Sequence, residues 1–350
     1  MLAVLIVFIH NNYTVSTISK IGANIVFNQS IFGKWFQLFI SDGIGYCAVP
    51  LFFLFSAFLQ ASKNEKYSIL LQKKAKSLII PYFLWIFIYG FYYTFGIQIV
   101  LHFIPSFVNN LNIENAQNIA QNWSILDFVH KIFGYAKNNN HPGFAGQFWF
   151  VRDLIILTIL SPIFNYFVKK RFLEFLIFII FLFFSPINLF FTSNSALFFY
   201  ILGLYWGSFK IDLFKIIDKI AWLDILLFFA FVFIYRYKFY AENNIVICFI
   251  ILSSCIIALK FSAIIEKNKK CFSIAKYLEK YSFWLYAIHM PALIEILKVL
   301  WLKIFPMKNG FWCLAEYFGV SILTIFISLA LGIGIKKIFP KLFALLCGGR

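Results

Sequence analysis

Charge is scarce in this chain. Asp, Glu, Lys and Arg make up 13% of its 350 residues, against about 25% in a soluble globular domain. So thin a polar cover cannot hide 49 Phe from water, which excludes an ordinary soluble domain and leaves lipid as the solvent for much of the surface. Cys47, Cys248, Cys255, Cys271, Cys313 and Cys347 form no CxxC and no Cys/His pair with metal spacing. A structural zinc, a thioredoxin-like motif and a disulfide framework are therefore not expected, and no metal site is predicted. A secretory leader is not expected either, because Leu2–Ile9 follows no basic region and precedes no small-residue cleavage site. The same run falls far short of the roughly 20 residues a crossing needs. The first helix is expected to lack its N-terminal part.

What is present is a succession of apolar runs, with a mean hydropathy of +0.84. After the N-terminal stub they lie at Ile44–Gln60, Leu78–Leu101, Phe148–Phe167, Phe172–Ile187, Ser195–Phe209, Trp222–Tyr235, Ile245–Leu259, Phe283–Ile304 and Phe311–Ile335. The expected fold is all-α: a polytopic transmembrane helix bundle of about ten helices, in one membrane domain spanning 1–350. The formal net charge of +17 could point to nucleic acid. Its placement in short clusters between apolar runs points instead to the positive-inside rule. Lys and Arg concentrate around 63–76, 169–171, 210–219, 260–280 and 336–350, in alternate loops, which predicts both termini in the cytoplasm. The long outer loop, 102–147, is rich in Asn. Amides suit sugar hydroxyls, but a solvated loop of biased composition reads the same way.

Ionisable residues inside a bilayer are expensive and are candidates for function. His10 ends the first run, and Arg152 and Asp153 open the fourth. His289 lies in the ninth, followed by Glu295 and Lys298, while Asp42 and Glu316 flank the second and tenth. Glu295 and Lys298 are spaced to pair on one helix face, and Arg152 could pair with either acid. A neutral imidazole such as His10 can take a proton from a hydroxyl, or it can simply sit at the lipid–water interface. His289 can serve the site or bond a neighbouring helix. On the inner side, Lys73, Lys74 and Lys76 could hold the phosphates of a nucleotide-type donor, or they are an ordinary positive-inside loop.

Taken in order, several stretches resemble the acyltransferase-3 family of integral membrane acyltransferases. LAVLIVFIH matches a first helix ending in histidine, and VPLFFLFSAFLQ matches an FFxxSG signature with Ser56 on the serine and Ala57 in place of the glycine. KKAKSLIIPYFLW matches a basic pair before an apolar-Pro-aromatic run. Trp149–Leu154 matches WF-x-R-D-L, and Tyr286–His289 matches Y-x-x-H. The family's arginine ahead of the first histidine would precede Met1, and its basic motif appears here as lysines, which do not reproduce bidentate phosphate binding.

The resemblance implies an O-acetyltransferase of a bacterial inner membrane, moving acetyl from cytoplasmic acetyl-CoA to an extracytoplasmic sugar or polysaccharide. Acetyl-CoA would be a substrate, with no permanently bound cofactor. In that reading His10 is catalytic and Lys73, Lys74 and Lys76 bind the donor. Ser56, Trp149, Arg152, Asp153, His289 and Glu295 line the acceptor site or cavity. The alternative is a transporter or flippase for a lipid-linked sugar, which inverted repeats would favour; no convincing repeat is visible.

Overall fold

The computed structural model describes residues 2–11, 31–63, 65–92, 95, 132, 145–187, 189, 191–239, 244–305 and 310–349. Among them there are helices and no strand. Most of the predicted Asn-rich loop, 102–147, lies outside the described residues.

Helix α1 (Leu2–His10) is the N-terminal stub. α2 (Ile31–Leu38) runs through a π-helical turn at Phe39–Gly43 and a 3-10 turn at Ile44–Cys47 into α3 (Ala48–Lys63). α4 (Tyr67–Lys74) passes through a π-helical segment, Ala75–Ile79, into α5 (Ile80–Phe91). Pro81 lies just beyond that π-helical segment and, lacking an N–H, cannot donate to a carbonyl of the preceding turn. α6 (Trp149–Ile159) and α7 (Ser161–Lys170) are bent by 61°. Pro162 explains the break, since it cannot donate to the carbonyl one turn earlier. The straight crossing predicted at Phe148–Phe167 is thus a broken one.

α8 (Phe172–Phe184) is a shorter apolar helix. α9 (Asn194–Ser208) starts at Ser193, whose hydroxyl accepts from the Ala196 N–H. α10 (Leu213–Asp218) is capped in the same way by Asp212. α11 (Trp222–Phe239) and α12 (Asn244–Lys267) follow. α13 (Lys269–Glu279) is capped by Asn268 and buries none of its residues. The basic stretch around 260–280, predicted as a loop, is therefore helical on both sides of Asn268. α14 (Ser282–Ile288), a π-helical segment at His289–Leu293 and α15 (Ile294–Ile304) make one interrupted crossing. α16 (Gly310–Ile338) and α17 (Pro340–Leu346) complete the chain.

Five of these stretches are long and apolar enough to span a membrane: Trp35–Lys63, Tyr67–Phe91, Ile245–Lys267, Ser282–Ile304 and Phe311–Ile338. The bent α6–α7 pair can supply a sixth. The remaining predicted runs fall on α8, α9 and α11. Phe326, Phe231 and Leu173 are exposed at 73%, 70% and 70%, as expected where hydrocarbon and not water meets the helix. The protein is an all-α, polytopic membrane protein of the helix-bundle class.

The helices pack into two compact units. One contains Met1–Ile9, Leu38–Ala75 and Asp153–Ser282, and the other His10–Gln37, Lys76–Arg152 and Phe283–Arg350. In the first, the main packing is α9 on α3, and it depends on small residues one turn apart on each helix. A Cβ at Gly203 would collide with the Leu54 carbonyl, and one at Gly207 would lie 2.5 Å from Phe58 O. The same added atoms would lie 2.9 Å from the Cβ of Ala57 and of Ala61, respectively. Within lipid, such close backbone approach supplies the dispersion contacts that association needs. The alanine at 57, where the resembling family has glycine, therefore fits against Gly203. In the second unit, Trp85 Nε1 donates to Leu346 O at 3.0 Å and Trp284 Nε1 to Ser328 O at 2.9 Å. These bonds tie α5 to α17 and α14 to α16.

Substituting Gly203 by Val is expected to overpack this contact by about 1–3 kcal/mol. Gly334→Ala, where an added Cβ meets nothing within 4 Å, should be close to neutral. Thermal unfolding of the detergent-solubilised protein compares the two.

Candidate active site

The second unit brings together polar residues far apart in sequence. His10 ends α1, where the last carbonyls have no intrahelical donor. Lys298 on α15 supplies one: its ammonium donates to His10 O at 3.3 Å and to Glu295 Oε1 at 3.3 Å. A cation at a helix C-terminus is also favoured by the helix dipole. The Lys298 side chain is 2% exposed, so both acceptors matter to a charge held away from water. The next residue, Asn11, is fully buried and donates from Nδ2 to Tyr317 O at 2.9 Å and Ser321 Oγ at 3.1 Å on α16. The backbone around His10 is thus held from two helices.

His289 sits where the α14–α15 crossing is interrupted. Met290 is extended (φ −126°, ψ 158°) and the peptide before Pro291 is cis. The interruption frees backbone carbonyls, and several have identified donors. Ala287 O would normally receive the N–H four residues on, but that residue is Pro291, which has none. It accepts instead from Tyr89 OH at 2.7 Å and Gln147 Nε2 at 3.2 Å. The Ile294 N–H turns to His289 O, and Met290 O takes Gln147 Nε2 at 2.6 Å. Tyr286 OH donates to the Gln147 carbonyl, tying the two segments together a second time. Tyr286 O accepts from His289 Nδ1 at 2.7 Å.

A carbonyl can only accept, so the proton of neutral His289 lies on Nδ1 and its Nε2 is an acceptor. His289 is fully buried, and no described residue bonds Nε2. Its ring centroid lies 5.3 Å from that of His10, with the planes at 44°. Two imidazoles from opposite ends of the chain therefore face each other, with Glu295 and Lys298 beside them.

The other predicted residues have surroundings of their own. Lys74 Nζ donates to Ser56 Oγ at 3.1 Å, joining a predicted donor-side lysine to the signature serine. Lys73 pairs with Glu65 at 2.6 Å, and this hydrogen-bonded ammonium holds the Glu65 carboxyl below its ordinary range. Lys76 is exposed. Asp153 is buried and accepts from Thr192 Oγ1 and the Ser193 N–H, each at 3.1 Å, so it secures the start of α9. Arg152 is half-buried and Trp149 is exposed. Glu316, expected at the rim of the tenth crossing, is fully buried on α16. Among the described residues no group of His, Cys, Asp and Glu could hold a metal.

Sequence reading passed over Asn11, Tyr89 and Gln147. All are neutral, so a search for charge at depth did not select them. Pro291, four residues beyond Ala287, did signal the interruption that the predicted unbroken Phe283–Ile304 crossing overlooked.

Gln147→Leu keeps the volume of the side chain and removes its donor. The Met290 carbonyl is then left without its donor inside the protein, at about 1–3 kcal/mol. Thermal unfolding in detergent should register this loss.

No curated protein and no solved structure matches the chain. The family model described as an acyltransferase domain matches residues 1–333, a range that takes in the two histidines, the Ser56–Lys74 pair and every crossing but the last few residues of α16. Spanning nearly the whole sequence, that match places this chain in the acyltransferase-3 family, and it is a membrane acyltransferase.

Proposed function

We propose that this protein transfers an acetyl group from cytoplasmic acetyl-CoA to a hydroxyl of an extracytoplasmic sugar or cell-surface polysaccharide, in a bacterial inner membrane. The supporting observation is His10, an imidazole whose backbone is braced by Lys298 and Asn11 and whose ring faces a second imidazole. A sugar hydroxyl is a weak nucleophile until a base removes its proton. In this reading a ring nitrogen of His10 takes that proton as the oxygen attacks the thioester carbonyl. The carbon–sulfur bond then breaks, and His10 returns the proton to the departing thiolate. The products are the acetyl ester and coenzyme A, with His10 restored. Glu295 and Arg152 remain candidates for the acceptor side.

On the donor side, Lys73, Lys74 and Lys76 supply positive charge for the phosphates of coenzyme A. Ser56 holds the Lys74 ammonium, and Glu65 occupies that of Lys73. A phosphate must therefore displace Glu65 to reach Lys73.

Membranes carrying the protein and their native surface glycans, incubated with radiolabelled acetyl-CoA, test both halves. His10→Ala is expected to lower base-labile label in the glycan fraction by about 100-fold or more; near-normal label would remove the proposed role. Replacing Lys73, Lys74 and Lys76 together by Gln should raise the KM for acetyl-CoA with little change in kcat. Glu65→Gln, which frees Lys73, should lower it.

A further inference from the structure

We propose that His289 is a positioning residue for His10: its unprotonated Nε2 accepts the ring N–H of His10, leaving the opposite nitrogen of His10 free as the base. The inference rests on the reading of His10 given above and adds a function for the second imidazole.

His289 has one direction of hydrogen bonding available. The Tyr286 carbonyl fixes the proton on Nδ1 at 2.7 Å. The Tyr286 carbonyl is itself held by the interrupted turn, which Gln147 and Tyr89 secure. The remaining nitrogen is an acceptor in a fully buried residue, with no donor from any described side chain. A buried acceptor without a donor costs about 1–3 kcal/mol, so a partner is to be looked for.

The neighbouring imidazole is such a partner. Two imidazoles joined by an N–H···N bond of about 2.9 Å have centroids roughly 5 Å apart, and the His10 and His289 centroids are 5.3 Å apart. The His10 ring is half-buried, and in the proposed state it turns its N–H onto His289 Nε2. Catalytic hydrogen bonds are often long before substrate binds and tighten with it.

The proton inventory is then complete. When His10 takes the proton of the acceptor hydroxyl, it becomes an imidazolium with an N–H at each nitrogen. One N–H faces His289 Nε2, which keeps its own Nδ1 proton throughout. The other N–H delivers the proton to the departing thiolate. His289 neither gains nor loses a proton; it selects the tautomer and orientation of His10.

Two substitutions separate this role from packing. The side-chain amide of Gln reaches the position of Nε2, whereas that of Asn reaches only Nδ1. His289→Gln restores an acceptor toward His10, and His289→Asn does not. Turnover of radiolabelled acetyl-CoA onto native surface glycans is measured per folded protein, with folding followed by detergent gel filtration and thermal unfolding. His289→Asn is expected to lower kcat about 100-fold with the KM for acetyl-CoA unchanged, and His289→Gln to stay within about tenfold of the original. If the Asn variant does not insert, His289→Phe provides the acceptor-free comparison. Equal turnover of the Gln variant and the acceptor-free variant, or a loss seen only in KM, overturns the proposal. A fully active His10→Ala instead overturns the reading of His10 on which it rests, so the two failures are told apart.

Discussion

Hydrocarbon offers no hydrogen bonds, and a helix that breaks inside a bilayer must find donors for every carbonyl it releases. At Met290–Pro291 those donors are Gln147, Tyr89 and the Nδ1 proton of His289 itself. One requirement therefore does two things: it stabilises the interruption, and it fixes the tautomer of a buried imidazole. The orientation of His289 toward His10 follows from where the carbonyls of Tyr286, Ala287 and Met290 point. Tyr286 adds to this through its hydroxyl, which returns to Gln147, and through its ring, packed on Phe148 and Phe150.

The same logic governs the cations. Lys298 is placed between a carboxylate and the last carbonyl of α1. Lys74 meets the Ser56 hydroxyl. Arg236 bonds the Asp42 carbonyl at 3.3 Å and the Tyr46 hydroxyl at 3.2 Å, with its guanidinium over the Tyr46 ring. In each case a charge in an apolar setting is matched to an acceptor on another segment, so the pair both relieves a desolvation cost and joins two elements. Close packing joins α3 and α9 by another route: dispersion contacts allowed by Gly203 and Gly207 take the place that hydrophobic association has in water.

Much of the fold was legible in the chain. Where described, the apolar runs fall largely on helix, because their length and composition leave the backbone no other way to satisfy itself in lipid. His10, His289, Glu295 and Lys298 stood out for a physical reason, since an ionisable group in such a run needs a purpose or a partner. The Glu295–Lys298 pair was readable from its spacing along one helix. Asp153 stood out equally, but its bonds to Thr192 and Ser193 at the start of α9 were not readable from WFVRDL. Gln147 drew no notice because a neutral amide beside aromatic residues has many bland explanations.

Sequence alone determined that the chain is helical, lies in a membrane and carries the motifs of an acyltransferase, because hydropathy, period and local residue order are properties of short stretches. Tertiary structure alone decided that the imidazoles of residues 10 and 289 face each other, that Lys298 closes the end of α1, and that Gln147 and Tyr89 supply donors to the Ala287 carbonyl. These depend on which carbonyl lies within reach of which donor across hundreds of residues, and no local pattern encodes that distance.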